Sequence, residues 1–184
     1  MRIISGKLGG RKLFSLSGQS IRPTSDRVRE AVFNILAEQV AAATVLDLFA
    51  GTGALGIEAA SRGARRVVSI ENSHAAIRTI QKNVRHLDLK AALRIIKWDI
   101  TRNLDCIRTN DPVYDLVFMD PPYERGLVGK ALDNLCASRS VKPGALLVVE
   151  HSRREELPAE KDFVEITDQR KYGKTLVSFL TYMV

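Results

Sequence analysis

Two stretches of this 184-residue chain combine residue types and spacings that can do chemistry. The first is Asp47-Leu48-Phe49-Ala50-Gly51-Thr52-Gly53-Ala54-Leu55-Gly56, where Gly51, Gly53 and Gly56 fit the spacing G-x-G-x-x-G between an apolar run and a helix-like one. Glycines let a backbone approach a ligand closely, and the helix that follows presents unpaired N–H groups. Glu71 lies 20 residues beyond Gly51, at the end of the next apolar run, where a carboxylate can accept hydrogen bonds from ribose hydroxyls. The second stretch is Asp120-Pro121-Pro122-Tyr123, directly after the run Tyr114 to Met119. With about 5% usage per residue type, a given tetrapeptide falls by chance in a chain of this length on the order of once in a thousand, so the motif is a signal.

The glycine loop points to a nucleoside-bearing cofactor. Phe49, Thr52, Gly53, Gly56 and Asn72 lie in or beside that site, and Asp99-Ile100 follows the third apolar run, where Asp99 is placed to accept from an adenine amino group. A nicotinamide dinucleotide and S-adenosylmethionine both qualify. Asp47 favours S-adenosylmethionine, because a carboxylate just before the loop suits the ammonium of a methionine moiety and would repel a pyrophosphate. In the second motif Pro121 and Pro122 fix the backbone and remove two N–H donors, leaving carbonyls as its polar groups. Such a site accepts hydrogen bonds. The Asp120 carboxylate and a neighbouring carbonyl can take both N–H bonds of an exocyclic base amine and stabilise the positive charge that develops as a methyl group arrives. Tyr123 offers a flat face for an unstacked base. No metal is required.

The elements that must position these residues are legible as short β-rich runs: Val45 to Phe49, Val67 to Ile70, Leu93 to Ile96, Tyr114 to Met119 and Ala145 to Val149. Helix-like stretches lie between, clearest at 54–62, 73–87 and 127–137, an alternation that predicts an open parallel sheet with helices on both faces. Phe163 to Thr167 and Thr175 to Leu180 are separated by too few residues for a crossover helix, so this last pair should be antiparallel. Ahead of the sheet, Gly9-Gly10 between two short extended segments predicts a β-hairpin arm over residues 1–20, and an amphipathic helix is expected to run to Val40. The whole chain, 1–184, reads as a single domain.

The chain holds 28 basic and 21 acidic residues, a net charge of +7, with the excess concentrated at one end. Residues 1–30 contain Arg2, Lys7, Arg11, Lys12, Arg22, Arg27 and Arg29 against Asp26 and Glu30, giving +5 and leaving +2 for all the rest. A concentrated basic segment suits a phosphate backbone, so Arg2, Lys7, Arg11, Lys12, Arg22 and Arg27 are the candidate RNA contacts. No apolar stretch reaches membrane-spanning length and none suits a signal peptide, so a cytoplasmic protein, monomeric and without a membrane partner, is expected. Cys106 and Cys136 read as packing residues, and His74, His86 and His151 as surface or capping residues. From these residues alone, three rivals stay open: an adenine-N6 methyltransferase acting on DNA or RNA, a dinucleotide oxidoreductase, and a non-catalytic RNA-binding protein.

At these motifs the chain resembles class I S-adenosylmethionine-dependent amino-methyltransferases, and more narrowly the bacterial 16S ribosomal RNA guanine-N2 methyltransferase family, the small-subunit RNA methyltransferase D type. The likeness runs through the arm Arg2-Ile3-Ile4-Ser5-Gly6-Lys7, the segment Arg22-Pro23-Thr24-Ser25-Asp26-Arg27-Val28-Arg29-Glu30 and the late Tyr172-Gly173-Lys174-Thr175. It implies a Rossmann-like sheet of seven strands in the order 3-2-1-4-5-7-6, with strand 7 antiparallel. It also implies methylation of one guanine in 16S ribosomal RNA, with the small ribosomal subunit or an assembly intermediate as partner. Asp47, Gly51, Gly53 and Glu71 would then hold the cofactor, and Asp120 and Tyr123 the base. Trp98 stands before Asp99 where a small residue is expected.

Overall fold

A computed structural model describes residues 1–16, 26–111, 113–123, 125–155, 157 and 161–184. Arg22 and most of the segment that continues to Arg27 lie outside the described residues. The strands are β1 (Thr44–Leu48), β2 (Arg66–Glu71), β3 (Leu93–Lys97), β4 (Tyr114–Met119), β5 (Val141–Ser152), β6 (Val164–Tyr172) and β7 (Thr175–Tyr182). They form one sheet in the order β3-β2-β1-β4-β5-β7-β6, in agreement with the order the resemblance implies. Pairs from β3 to β5 are parallel, while β7 runs antiparallel to both β5 and β6.

Alternation along β1 shows how the sheet sorts its faces. Val45 joins one apolar core with α1 (Asp26–Leu36), α2 (Ala54–Ser61) and α3 (His74–His86), whereas Leu46 and Leu48 join a second with α4 (Leu127–Ser138). This period-2 division is the signature of a strand buried on both sides. The helix expected to continue to Val40 ends at Leu36 and tightens into a 3-10 turn over Ala37–Val40, with Ala37 at φ 42°. β5 begins four residues earlier than its apolar run: Pro143 and Gly144 sit in a register shift opposite β4, with Gly144 at φ 81°, so an apparent strand breaker is a bulge. His151 corrects the surface expectation. It is buried between β5 and β7, its Nε2 2.8 Å from Ser178 Oγ. His74 and His86 are exposed. No described helix is long and apolar enough to cross a membrane.

The basic arm is docked rather than projecting. A bridge between Arg2 and Lys12 closes its hairpin, and Ile3 and Leu13 are buried in the first core. The amides of Ile4 and Ser5 donate to the Glu58 carboxylate on α2 at 2.8 and 3.0 Å, and that of Lys7 to the Ser61 carbonyl at 2.8 Å. Gly6 is obligatory here: at φ 82°, a Cβ would stand 2.1 Å from the Ser61 carbonyl oxygen. Arg29, counted above in the basic excess of residues 1–30, is fully buried on α1. It donates to the Arg2 carbonyl and to Asp26, and its Nε lies 3.7 Å from Glu58 Oε2.

Candidate active site

Register decides what meets at the carboxyl end of the sheet. Leu48 lies beside both Ile70 and Met119, and Met119 beside Val149. The next residues along the four strands therefore emerge in one row: Glu71 at the end of β2, Phe49 after β1, Asp120 after β4 and Glu150 on β5. This is where ligands bind in open α/β sheets.

The glycine loop turns sharply as it leaves β1. Phe49, Gly51 and Gly53 have φ of 59°, 56° and 78°. For Phe49 that region costs about 1–2 kcal/mol, offset by bonds from Ala50 N to the Ile70 carbonyl (3.1 Å) and from Gly53 N to the Ala50 carbonyl (2.7 Å). At Gly56 a Cβ would lie 2.9 Å from Asp47 Oδ2 and 3.0 Å from Ser69 Oγ, so this third glycine lets α2 press against β1 and β2. At Gly51 a Cβ would meet nothing nearer than 3.9 Å, which leaves the ligand side of the loop open.

Glu71 organises this open side. One carboxylate oxygen accepts the Gly51 amide and the other the amides of Asn72 and Ser73, each at 2.8 Å. Of the roughly four lone-pair directions of a carboxylate, three are fixed by backbone and one is left for a ribose hydroxyl. Asp99 is pinned by the Thr101 hydroxyl at 2.7 Å, the main cause holding its carboxyl below the ordinary range. The Ile100 side chain is buried in the second core.

The direct ammonium contact expected of Asp47 is not favoured by its placement. The carboxyl is 1% exposed, its Oδ2 accepting the Gly56 amide at 3.1 Å and lying 3.5 Å from Ser69 Oγ. Its role is to fasten the start of α2. Burial pushes its pKa from 3.8 up to about 7, partly opposed by the Gly56 bond. Between those values the folded protein keeps a proton that the unfolded chain has lost, so this group weakens stability as pH rises from about 4 to 7. A rise of about three pKa units corresponds to up to about 4 kcal/mol. Asp47→Asn should flatten that slope in urea unfolding at pH 4.5 and 7.5; an unchanged slope would exclude Asp47 as its source.

At the second motif, Pro121 is buried, and Pro122 and Tyr123 are exposed. Tyr123 is 37% exposed, while its hydroxyl donates to Glu150 Oε1 at 2.6 Å and lies 3.1 Å from Thr175 Oγ1. Desolvation and then the Glu150 bond raise the phenol pKa, so the hydroxyl remains a donor. Glu150 was not singled out from the sequence, although an acid ending the Ala145 to Val149 run was a usable signal. Asn83 was equally missed. Fully buried on α3, it holds both backbone groups of Phe14 (2.8 and 3.1 Å) and donates to the Thr52 carbonyl in the glycine loop at 3.1 Å. Among the candidate RNA contacts, Arg2, Lys7, Arg11, Lys12 and Arg27 are exposed.

The family model described as "Conserved hypothetical protein 95" matches residues 1–181. Ribosomal RNA small subunit methyltransferase D of Haemophilus influenzae is 38% identical over 152 residues, covering 82% of this chain and 78% of that protein. The Escherichia coli protein of the same name is 37% identical over 158 residues, covering 86% and 78% respectively. The solved structure of Escherichia coli yhhF is 33% identical and matches with a TM-score of 0.87 over 100% of this chain and 98% of that one. With a glycine loop, the Glu71 carboxylate and the Asp-Pro-Pro-Tyr motif in one row, this chain belongs to the Conserved hypothetical protein 95 family, that of the small-subunit ribosomal RNA methyltransferase D proteins, S-adenosylmethionine-dependent enzymes of the class I fold.

Proposed function

We propose that this methyltransferase modifies the exocyclic N2 amine of one guanine in 16S ribosomal RNA, with the small ribosomal subunit or an assembly intermediate as substrate. The observation that carries the reading is the adjacency of Phe49 and Asp120 at the ends of β1 and β4, which sets the cofactor loop beside the amine-accepting motif. Relatives named for small-subunit ribosomal RNA methylation, at 37–38% identity, support RNA as the substrate.

When bound, S-adenosylmethionine supplies an electrophilic methyl group on a sulfonium. The open side of Gly51 and the remaining acceptor capacity of Glu71 fit its nucleoside, with Phe49, Thr52, Asn72, Asp99 and Ile100 around it. Asp47 and Gly56 keep the loop seated on α2. Asp120 and a carbonyl of the Asp120-Pro121 stretch accept the two N–H bonds of the amine, turning its lone pair toward the methyl group. Tyr123, anchored through Glu150 and Thr175, presents its ring to the base. The rate gain comes from alignment and from stabilising the charge that develops on nitrogen. Asp120 need not be a strong base, since the methylated amine is acidic enough to lose its proton afterwards. Arg2, Lys7, Arg11, Lys12, Arg22 and Arg27 bind phosphates.

The motif can cradle the N6 amine of adenine as well, and the resemblance favours guanine. Incubating the protein and methyl donor with protein-free 16S RNA and with isolated small subunits, then mapping the product by mass spectrometry, tests this directly. The expected product is N2-methylguanine at one position; N6-methyladenine would replace the reading with its rival.

A further inference from the structure

The end of the arm and the outer face of α3 meet in a surface where Arg11, one of the basic residues singled out from the sequence, is joined by cations of α3 that were not. Phe14 is 37% exposed, although its backbone is clamped by Asn83. Lys82 Nζ stands 3.8 Å from its ring centroid, and the His86 ring meets it edge-on at 5.4 Å. Arg11 donates to the His86 carbonyl at 3.2 Å, which brings a cation of the arm onto the same surface.

α3 itself, His74–His86, carries Arg78, Lys82 and Arg85 on its exposed side and no acidic residue. An exposed helix ordinarily offsets such charges with acids three or four residues away. Among the described residues, none of Arg11, Lys12, Lys82 and Arg85 forms an ion pair. Complementing the helix dipole accounts for Arg85 and His86 in the last turn. It does not account for Lys82 one turn earlier, nor for an aromatic ring held at the surface among cations.

We propose that this surface is a second RNA subsite, in which Arg11, Lys82 and Arg85 hold backbone phosphates and Phe14 takes the face of one unpaired base. Cations interleaved with an aromatic platform are what single-stranded RNA requires. The subsite adjoins the catalytic end, because Asn83 spans from the Phe14 backbone to the Thr52 carbonyl of the cofactor loop. RNA lying here is flanking strand held beside the site, while the target base occupies the Asp120 to Tyr123 motif. The inference deepens the reading of RNA as substrate and rests on it.

The test uses the full chain, a fluorescein-labelled oligouridylate of about 12 nucleotides and anisotropy across a series of KCl concentrations. The double variant Lys82→Gln/Arg85→Gln should bind several-fold more weakly and flatten the slope of log affinity against log salt by about 1.4, the share of two single-strand phosphates. Phe14→Leu should weaken binding about five-fold or more with the slope unchanged, the signature of lost stacking. S-adenosylmethionine affinity and the urea midpoint should match wild type in both, separating the effect from misfolding. Wild-type affinity and slope in both variants would overturn the subsite, as would failure of the wild type to bind the oligouridylate. If the double variant instead lost affinity only for protein-bearing small subunits, the surface would be a protein contact and the proposal would fall. Failure of the methyltransferase reading itself is distinguishable, because the wild type would then incorporate no methyl group into 16S RNA whatever the anisotropy showed.

Discussion

Asp120→Ala leaves a protein that binds S-adenosylmethionine within a few-fold of wild type and transfers no measurable methyl group to RNA. Asp120 follows β4, while the glycine loop is seated by Glu71, Asp47 and backbone bonds. The cofactor side should therefore survive. What disappears is the acceptor that orients the target amine and offsets the charge growing on nitrogen as the methyl group arrives. Removing one preorganised polar group of this kind costs on the order of 10²–10³-fold in turnover. Losing the proper aim of the lone pair adds to that, because a misdirected nucleophile forfeits the benefit of proximity. Asp120→Asn, which keeps one carbonyl acceptor, should recover part of the rate. Calorimetric titration with the cofactor and incorporation of labelled methyl groups into 16S RNA measure the two halves, and retained turnover in the alanine variant would end the assignment.

Glu58→Ala destabilises the whole chain by about 3–5 kcal/mol, the range for stripping a buried charge of its partner. The Glu58 side chain is 1% exposed, accepts Arg62 Nε at 2.9 Å and the arm amides of Ile4 and Ser5, and faces the Arg29 guanidinium. Among the described residues, Arg29 Nε and Nη1 have no hydrogen-bond partner, so Glu58 is the buried carboxylate that, together with Asp26 on Nη2, compensates a cation inside the first core. Against a typical stability of about 5–15 kcal/mol, such a loss is large. The urea midpoint should drop accordingly, and the Ile4 and Ser5 amides should exchange hydrogen much faster. A midpoint within experimental scatter of wild type would show that the network is not holding the arm.

The parts of the fold that were legible are those where one side-chain pattern meets one environment. β1, β2 and β4 are short, mostly apolar runs buried on both faces, and their residues announce them. β6 was harder to bound: only Phe163 to Thr167 looked strand-like, yet the strand continues to Tyr172 because β7 pairs with it along its length. Chain order in the sheet came from resemblance, since periodicity carries no information about which strand lies beside which. In the site, the glycine loop and Asp120 to Tyr123 were legible because contiguous residues do the work. Glu150, Thr175 and Asn83 act across separations of 27, 52 and 69 residues, respectively, and acquire their roles only when the sheet is assembled. Asp47 was legible as important but not in its job, which depends on Gly56 lying close enough to donate to it. Arg29 shows the opposite failure: a charge in a basic segment reads as solvent-exposed until a buried carboxylate 29 residues later is brought against it.

The docking of the arm has a consequence for the order in which the chain can fold. Ile4 and Ser5 bond to a side chain 54 and 53 residues ahead of them, and Phe14 to one 69 residues ahead. During synthesis, residues 1–16 leave the ribosome well before Glu58, Ser61 and Asn83 exist to receive them, and closing such long loops is entropically unfavourable until the receiving helices have formed. The arm is therefore translated well before the helices that seat it. Its apolar residues Ile3 and Leu13, buried in the finished protein, spend that interval in solvent, and the cations around them keep the waiting segment soluble. The same charges that give the arm its basic character thus protect the nascent chain while α2 and α3 are being made.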